Sequence, residues 1–543
     1  MTSNKQQLDA VVVGAGFAGM YLLHRLREMG FSVRVYEKGD SVGGAWYWSR
    51  YPGARCDSES IYYNYTFSEE IYQEWTWSSR YPEQPEILDY LNFVADRLDL
   101  RRDIQFNAQI KAARYDETHN LWNVDLHDGS RVSAKYFITG VGCLSVNATN
   151  VPQIKGLDRF EGEWYHTGAW PHEKVDFKGK RVGIIGTGSS GVQAIPVIAK
   201  EAGQLTVFQR TPQYTVPARN HKLDPAFIQN TKENFSELKR QMRESKGGFP
   251  KVASDRSALE VTPEERLRIY EEFWKKGGNG IANCFNDIMT NEQANETVAE
   301  FIRSKIREIV KDPQVADGLM PTYLFGTKRP IVDTDYYETY NRENVNLVDL
   351  RKEPLAEITP KGVKTTEAEY ELDIIVFATG YDGMTGPLFK IDIQGKDGVA
   401  LKEKWDDGAQ VRTYLGLATT GFPNMFMVTG PQSPSVLGNV PTAIEQHVEW
   451  ITDCIEYLRK HRVDTMEAKA DAEEAWSKHC SELANQTLYT KTDSWYTGAN
   501  VEGKPRGFLI YLGGYGFYNQ LIQEIAEKDY EGFSLMSSPK YAV

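Results

Sequence analysis

Two segments of this 543-residue chain repeat one grammar: a short apolar strand, glycines spaced G-x-G-x-x-G, an amphipathic helix and a second strand. In the first copy, Leu8–Val13 precedes Gly14, Gly16 and Gly19, the helix ends at Gly30, and Phe31–Tyr36 leads to Glu37. In the second, Arg181–Ile185 precedes Gly186, Gly188 and Gly191, and Leu205–Gln209 leads to Arg210. Each glycine has a physical task. The first permits the tight turn. The second lets a pyrophosphate approach the backbone at the positive end of the helix, and the third lets helix and strand pack closely. The repeated pattern predicts an α/β chain with two Rossmann-like dinucleotide-binding domains.

The two copies differ where a ribose would sit. Glu37, 23 residues after Gly14, can accept hydrogen bonds from ribose hydroxyls. Arg210, 24 residues after Gly186, favours a 2′-phosphate that an acid would repel, and Thr211 adds a hydroxyl donor. The first site therefore reads as one for FAD and the second as one for NADPH. Two dinucleotides in one chain imply electron transfer between them. Two later apolar strands, Asp373–Phe377 and the one leading from Asn424 to Gly430, end in small residues where a nucleotide can approach closely.

Bulk properties narrow the class. A formal net charge of -13 argues against a nucleic-acid partner. No apolar run is long enough to span a bilayer. The polar N-terminus lacks a secretion signal, and the C-terminal Lys-Tyr-Ala-Val is not a peroxisomal address. The five cysteines are scattered, with no Cys-x-x-Cys pair and no metal-site spacing. That pattern suits a reducing cytoplasm and weakens a dithiol flavin reductase. A monomer is expected.

Between the two loops lies Phe160-Glu-Gly162-Glu-Trp-Tyr-His166-Thr-Gly-Ala-Trp170-Pro171. Earlier comes Gly43-Gly44-Ala45-Trp46-Tyr-Trp-Ser-Arg-Tyr51-Pro52-Gly53-Ala-Arg55-Cys-Asp57. These two independent motifs, F-x-G-x-x-x-H-x-x-x-W-P and G-G-x-W…Y-P-G-x-x-x-D, resemble those of type I Baeyer–Villiger monooxygenases. The likeness runs from Asp9 through Trp495-Tyr-Thr-Gly-Ala-Asn500 to Phe533 and is nearest to the phenylacetone and steroid branch, with the cyclohexanone enzymes also near.

The resemblance implies a reaction: NADPH reduces FAD, dioxygen adds to the reduced flavin, and the flavin peroxide converts a ketone to an ester or lactone. It also implies residue roles. Arg329, in Gly326-Thr-Lys328-Arg329-Pro330, would be the fixed cation beside the reacting centre, held by Asp57. An arginine suits that post because it stays protonated and offers several donors. FAD contacts would extend over Phe17, Ala18, Gly44, Ala45, Trp46, Asp57, Tyr63, Ile110 and Gln446. NADPH contacts would include Arg55, Asp57, Thr187, Gly188, Ser189, Ser190, Gly191, Gln193, Arg210, Thr211, Lys328, Arg329 and the mobile-loop residue Trp495. His166 and Trp170 would anchor a linker between the domains and not act as a base. Ser435 and Leu437, in Ser433-Pro-Ser435-Val-Leu437, would line the substrate pocket, and the form of that segment points to linear aliphatic or aryl-alkyl ketones, with small cyclic ketones also open. Sulfoxidation would be a side activity.

The expected organisation is an FAD domain from residues 1–145 and 382–543, an NADPH domain from 146–215 and 329–381, and a helical insertion over 216–328. Within the insertion, Thr262-Pro263-Glu-Glu265 reads as a capped helix start, Gly277 as its stop, and Asn291–Lys311 as another helix. The residues leave two rivals open: an N- or S-oxygenating flavin monooxygenase, and a non-oxygenating NADPH-flavin reductase.

Overall fold

A computed structural model describes residues 6–250 and 254–537; the extreme N-terminus and the Lys-Tyr-Ala-Val tail lie outside the described residues. The first glycine loop joins β1 (Gln6–Val13) to α1 (Phe17–Glu28), which returns to β2 (Val33–Tyr36). Around them forms a sheet with β3 (Ile104–Gln105), β4 (Ile110–Asp116), β5 (Leu121–Leu126) and β6 (Arg131–Thr139). Strands β1, β2, β3 and β6 are parallel, whereas β4, β5 and β6 form an antiparallel meander. The second nucleotide unit has its own sheet. It contains β7 (Glu163–His166), β8 (Arg181–Ile185), helix α2 (Ser189–Glu201) and β9 (Gln204–Gln209).

Next, β10 (Thr215–Pro217) leads into a helical region with α3 (Phe235–Glu244), α4 (Pro263–Lys276) and α5 (Glu292–Ile309). The chain leaves it through β11 (Ile331–Asp333), which pairs in parallel with β10. It then re-enters the second sheet as β12 (Val345–Asp349) and β13 (Ile374–Phe377), giving the all-parallel order β12-β9-β8-β13-β7. Finally β14 (Asp392–Gln394) and β15 (Met425–Met427) rejoin the first sheet on β4 and β6. Both sheets are thus made of chain segments far apart in sequence.

The glycine loops pack as their spacing requires. A Cβ on Gly19 would lie 1.8 Å from the carbonyl oxygen of Gly14, and one on Gly191 would lie 2.3 Å from that of Gly186. Helix and strand approach too closely there for any side chain. On the first sheet, α1 packs against α6 (Val440–Lys460) over a core that includes Leu22, Leu26, Val448 and Ile451. The three central strands of the second sheet, β8, β9 and β13, are buried on both faces, as the middle of a parallel sheet covered by helices must be.

Two local expectations change. Residues 163–166 are not a free linker: they form β7, the edge strand of the second sheet, registered on β13. The start of α4 is only half a capping box. Thr262 Oγ1 accepts from Glu265 N (3.2 Å), but the Glu265 carboxylate turns outward to Arg256 (2.7 Å). Helix α5 starts at Glu292 after Asn291, whose side chain accepts from two backbone amides, and ends at Ile309. No helix among the described residues is long and apolar enough to cross a membrane.

Removing the one side-chain cap on α4 should loosen that helix locally. Thr262→Ala is expected to cost about 1 kcal/mol. Amide hydrogen exchange over 263–276 should speed up by severalfold, with exchange in β1 and β8 unchanged.

Candidate active site

The site is built where segments from the two nucleotide units meet. The segment Tyr51–Asp57 docks on α2: Gln193 Oε1 accepts from Tyr51 Oη (2.7 Å) and from Arg55 N (3.4 Å), while Gln193 Nε2 donates to Arg55 O (3.1 Å). This contact carries Asp57 across to Arg329. Arg329 Nε donates to Asp57 Oδ2 (2.5 Å) and Nη2 to Oδ1 (3.0 Å), a bidentate pair. Nη1 donates to the carbonyl of Val436 (2.7 Å). The two side chains retain 22% and 27% exposure, so the pair borders open space. Burial works to lower the Arg329 pKa, but the Asp57 charge overrides it and holds the guanidinium well above its ordinary value.

Around the first loop, Glu37 is buried, and its carboxylate accepts from Ala15 N (2.7 Å) and Gly39 N (2.7 Å). Burial raises its pKa, while these amides counteract the shift. Trp46 Nε1 donates to Tyr63 Oη (3.1 Å), and the Tyr63 ring meets Phe17 edge-on at 5.5 Å. Ala18 is buried beside Phe17, whereas Ala45 is exposed beside Gly44. Ile110 is buried in β4, next to the segment whose Ala108 N donates to Glu37 O. Gln446 lies on α6 with Nε2 toward Arg243 O (3.4 Å) and a buried Oε1 that lacks a partner.

Around the second loop, Thr187 Oγ1 donates to Thr211 O (3.1 Å), while Gly188, Ser189 and the Arg210 side chain are exposed and Ser190 is half-buried. Lys328 Nζ sits 4.7 Å over the Tyr323 ring. Burial first, then the Arg210 charge, depress the Lys328 pKa, which places two cations close enough to repel each other. Arg55, by contrast, is committed elsewhere, to Glu83 (2.8 Å) and Tyr81 O (3.3 Å), and the Gln193 amide is committed to the 51–55 segment.

Several features fit two dinucleotides. Both α1 and α2 begin at a glycine N-cap with no side-chain cap and no acid in the first turn, leaving their first amides for an anion. Glu37 closes the first loop as a ribose acceptor, and Arg210 with Lys328 offers two cations for a phosphate beside the second.

The residues of the 160–171 motif take part in close local packing. Gly162 passes so close to Asp373 O that a Cβ would lie 2.4 Å away, and the Phe160 ring folds over it. His166 is buried at the end of β7. Its Nδ1 accepts from Gly168 N (3.0 Å), and Nε2 faces Thr379 Oγ1 (3.4 Å). Trp170 N donates to Trp48 O (3.3 Å), tying the motif to the first sheet's segment, and Pro171 follows it.

Trp495 occupies a 3₁₀ turn, near enough to Gly383 that a Cβ there would touch its ring at 3.3 Å. Ser435 is buried, and its hydroxyl has no partner among the described residues. Leu437 and Trp495 pack on a buried cluster of Met384, Val436, Tyr496 and Ile510. Sequence reasoning missed Tyr496 and the Val436 carbonyl. The first sits beside Trp495 in S-W-Y-T-G-A-N and resembles a core aromatic; the second is a backbone atom, which carries no sequence signal.

The flavin-binding monooxygenase-like family matches residues 7–226. A Baeyer–Villiger monooxygenase of Pseudooceanicola batsensis is 46% identical over 96% of this chain and 95% of its own length. A phenazine N-monooxygenase of Lysobacter antibioticus is 44% identical over 100% of this chain and 99% of its own. Among solved structures, an oxidised steroid monooxygenase bound to NADP superposes with a TM-score of 0.93 at 49% identity, covering 98% of this chain and 100% of that one.

Burial lowers the His166 pKa to about 4, so the fold holds it neutral. Its folded pKa lies below the unfolded value of 6.5, and the stability it contributes is present above pH 6.5 and lost as pH falls toward 4. The loss approaches roughly 3 kcal/mol. Thermal denaturation between pH 7.5 and 4.5 should show a shallower acid decline for His166→Asn than for the wild type; equal slopes would refute the assignment.

Proposed function

This chain belongs to the Baeyer–Villiger monooxygenases, FAD- and NADPH-dependent oxidoreductases, and on that footing we propose that it oxidises linear aliphatic and aryl-alkyl ketones to esters, with small cyclic ketones and sulfides as secondary substrates. The net reaction is ketone, dioxygen, NADPH and a proton giving ester, water and NADP⁺. The observation that carries this reading is the Arg329–Asp57 pair set beside an apolar wall that includes Val436 and Leu437.

Bound FAD, once reduced by NADPH, supplies the activated oxygen. The protein supplies position, charge and dryness. Three of the five guanidinium N–H groups of Arg329 are engaged by Asp57 and Val436, leaving two for the reactants. A protonated, clamped guanidinium stabilises the negative charge that collects on a carbonyl oxygen under attack. Asp57 keeps it charged and limits its reorientation. Glu37 and the uncapped start of α1 would hold FAD; Thr187, the start of α2, Arg210, Thr211 and Lys328 would hold NADPH.

The two sheets support a division of labour. Residues 1–145 and 382–543 serve FAD, 146–215 and 329–381 serve NADPH, and the helices of 216–328 exclude water from the site between them. Trp495 covers that site, and His166 with Trp170 sets the spacing of the two halves. The active form is a monomer.

The name of the Lysobacter relative favours a second reading, N-oxygenation of an aromatic heterocycle. Incubation with NADPH and a panel of 2-alkanones, aryl-alkyl ketones, cyclohexanone and phenazine separates the two. Ester from the open-chain ketones is expected; phenazine N-oxide without any ester would sink the proposal. Arg329→Ala should keep its FAD and lose ester formation by about a hundredfold or more. Arg210→Gln should raise KM for NADPH by about tenfold or more and leave kcat and the KM for NADH nearly unchanged, since only the charged contact to the 2′-phosphate is removed.

A further inference from the structure

One buried polar group beside Arg329 has no use in the mechanism so far. Tyr496 is 1% exposed; the backbone N–H of Arg329 acts on its oxygen, but among the described residues its hydroxyl proton has no acceptor. Its ring is fixed by Trp495 at 4.5 Å, Tyr489 at 5.9 Å and Phe508 at 6.4 Å. It shares a buried cluster with Val436, whose carbonyl accepts from Arg329 Nη1, and Leu437 packs on the same cluster. The hydroxyl therefore lies among the residues that form the wall beside the guanidinium.

An unpaired buried hydroxyl has lost its bonds to water without replacement, and a bound group that accepts its proton removes that cost. The neighbouring side chains do not supply that acceptor among the described residues. The Arg329 guanidinium has donors only. Asp57 is engaged by Arg329 in bidentate fashion. Of the other tyrosines whose electrostatics respond to Arg329, Tyr515 is committed to Ser435 O (2.8 Å), and Tyr489 is not fully buried. Burial, the dominant influence, holds the Tyr496 phenol far above its ordinary pKa, so it stays neutral and keeps its proton to donate at any working pH. What is missing is an acceptor, and a ketone oxygen is an acceptor without a donor of its own.

We propose that Tyr496 is a further catalytic residue whose hydroxyl donates a hydrogen bond to the carbonyl oxygen of the ketone, forming with Arg329 a two-donor site for the charge that gathers on that oxygen. The inference rests on the ketone-oxidation reading above. A neutral donor beside a fixed cation strengthens as charge develops, so its effect falls on kcat more than on KM.

The test uses the FAD-loaded enzyme and one open-chain ketone that the wild type converts. In Tyr496→Phe, ester formed per NADPH consumed should fall about tenfold or more, with the missing oxygen appearing as hydrogen peroxide. FAD content, melting temperature and KM for NADPH should stay close to those of the wild type. Replacing Tyr496 by 3-fluorotyrosine keeps the shape and makes the hydroxyl more acidic; kcat should then differ from that of the wild type while the melting temperature does not. Wild-type coupling in both variants would overturn the assignment. So would a loss confined to KM for NADPH, which would give the hydroxyl to the nucleotide. Should Tyr496→Phe fail to retain FAD, an unchanged kcat in the fluorotyrosine enzyme alone overturns it. A wild type that makes no ester from any ketone defeats the parent reading instead, which keeps the two failures apart.

Discussion

The bidentate pair between Arg329 and Asp57 joins two parts of the chain separated by 272 positions, and the geometry of the site depends on it. Both charges are partly withdrawn from water. Removing one partner would leave the other uncompensated, which is far costlier than losing a surface pair. The pair also sets the local chemistry, because a guanidinium clamped through two N–H groups and a backbone carbonyl presents its remaining donors in a fixed direction.

Everything that brings those two residues together is ordinary packing. Asp57 is positioned by the docking of Tyr51 and Arg55 on Gln193 of the second nucleotide helix. Arg329 is positioned by β11, which starts two residues later and pairs with β10. Asp333, at the end of β11, is buried, and desolvation pushes its pKa up to about 7 even though Tyr336 N donates to it (3.1 Å). The 160–171 motif works in the same way. It fixes an edge strand and passes a hydrogen bond from Trp170 to Trp48.

The helical region is held to the first sheet by a partly buried polar cluster. Arg243 of α3 pairs with Glu449 of α6 (2.5 Å), which also accepts from Tyr21 of α1 (3.3 Å). Next to it, buried Glu445 accepts from Thr66 N, Thr66 Oγ1 and Phe67 N. Burial, then repulsion from Glu449, raises Glu445 to about 7. The cost of burying these carboxylates is met by several directed donors, and such contacts specify one docking geometry where apolar surface alone would allow sliding.

The sequence by itself determined the parts whose physics is local. Gly14, Gly16 and Gly19 imply a turn, a close approach and a helix start wherever they occur in that order after a strand, and the exchange of Glu37 for Arg210 carries its meaning in the charge alone. The helix starts at Thr262 and Asn291 were legible for the same reason, since a cap acts within one turn. Tertiary structure decided the rest. The motif at 160–171 reads as a linker because its strand, β7, gains hydrogen bonds only from β13, some 200 residues away. Arg55 and Gln193 read as nucleotide ligands in sequence, and only the fold shows that they also tie Glu83, Tyr81 and the 51–55 segment together. Tyr496 reads as a core aromatic, and what distinguishes it is a hydroxyl proton beside Arg329 with no acceptor among the described residues. Hydrogen-bond satisfaction between distant segments depends on where the whole chain places each atom, so no local pattern can encode it.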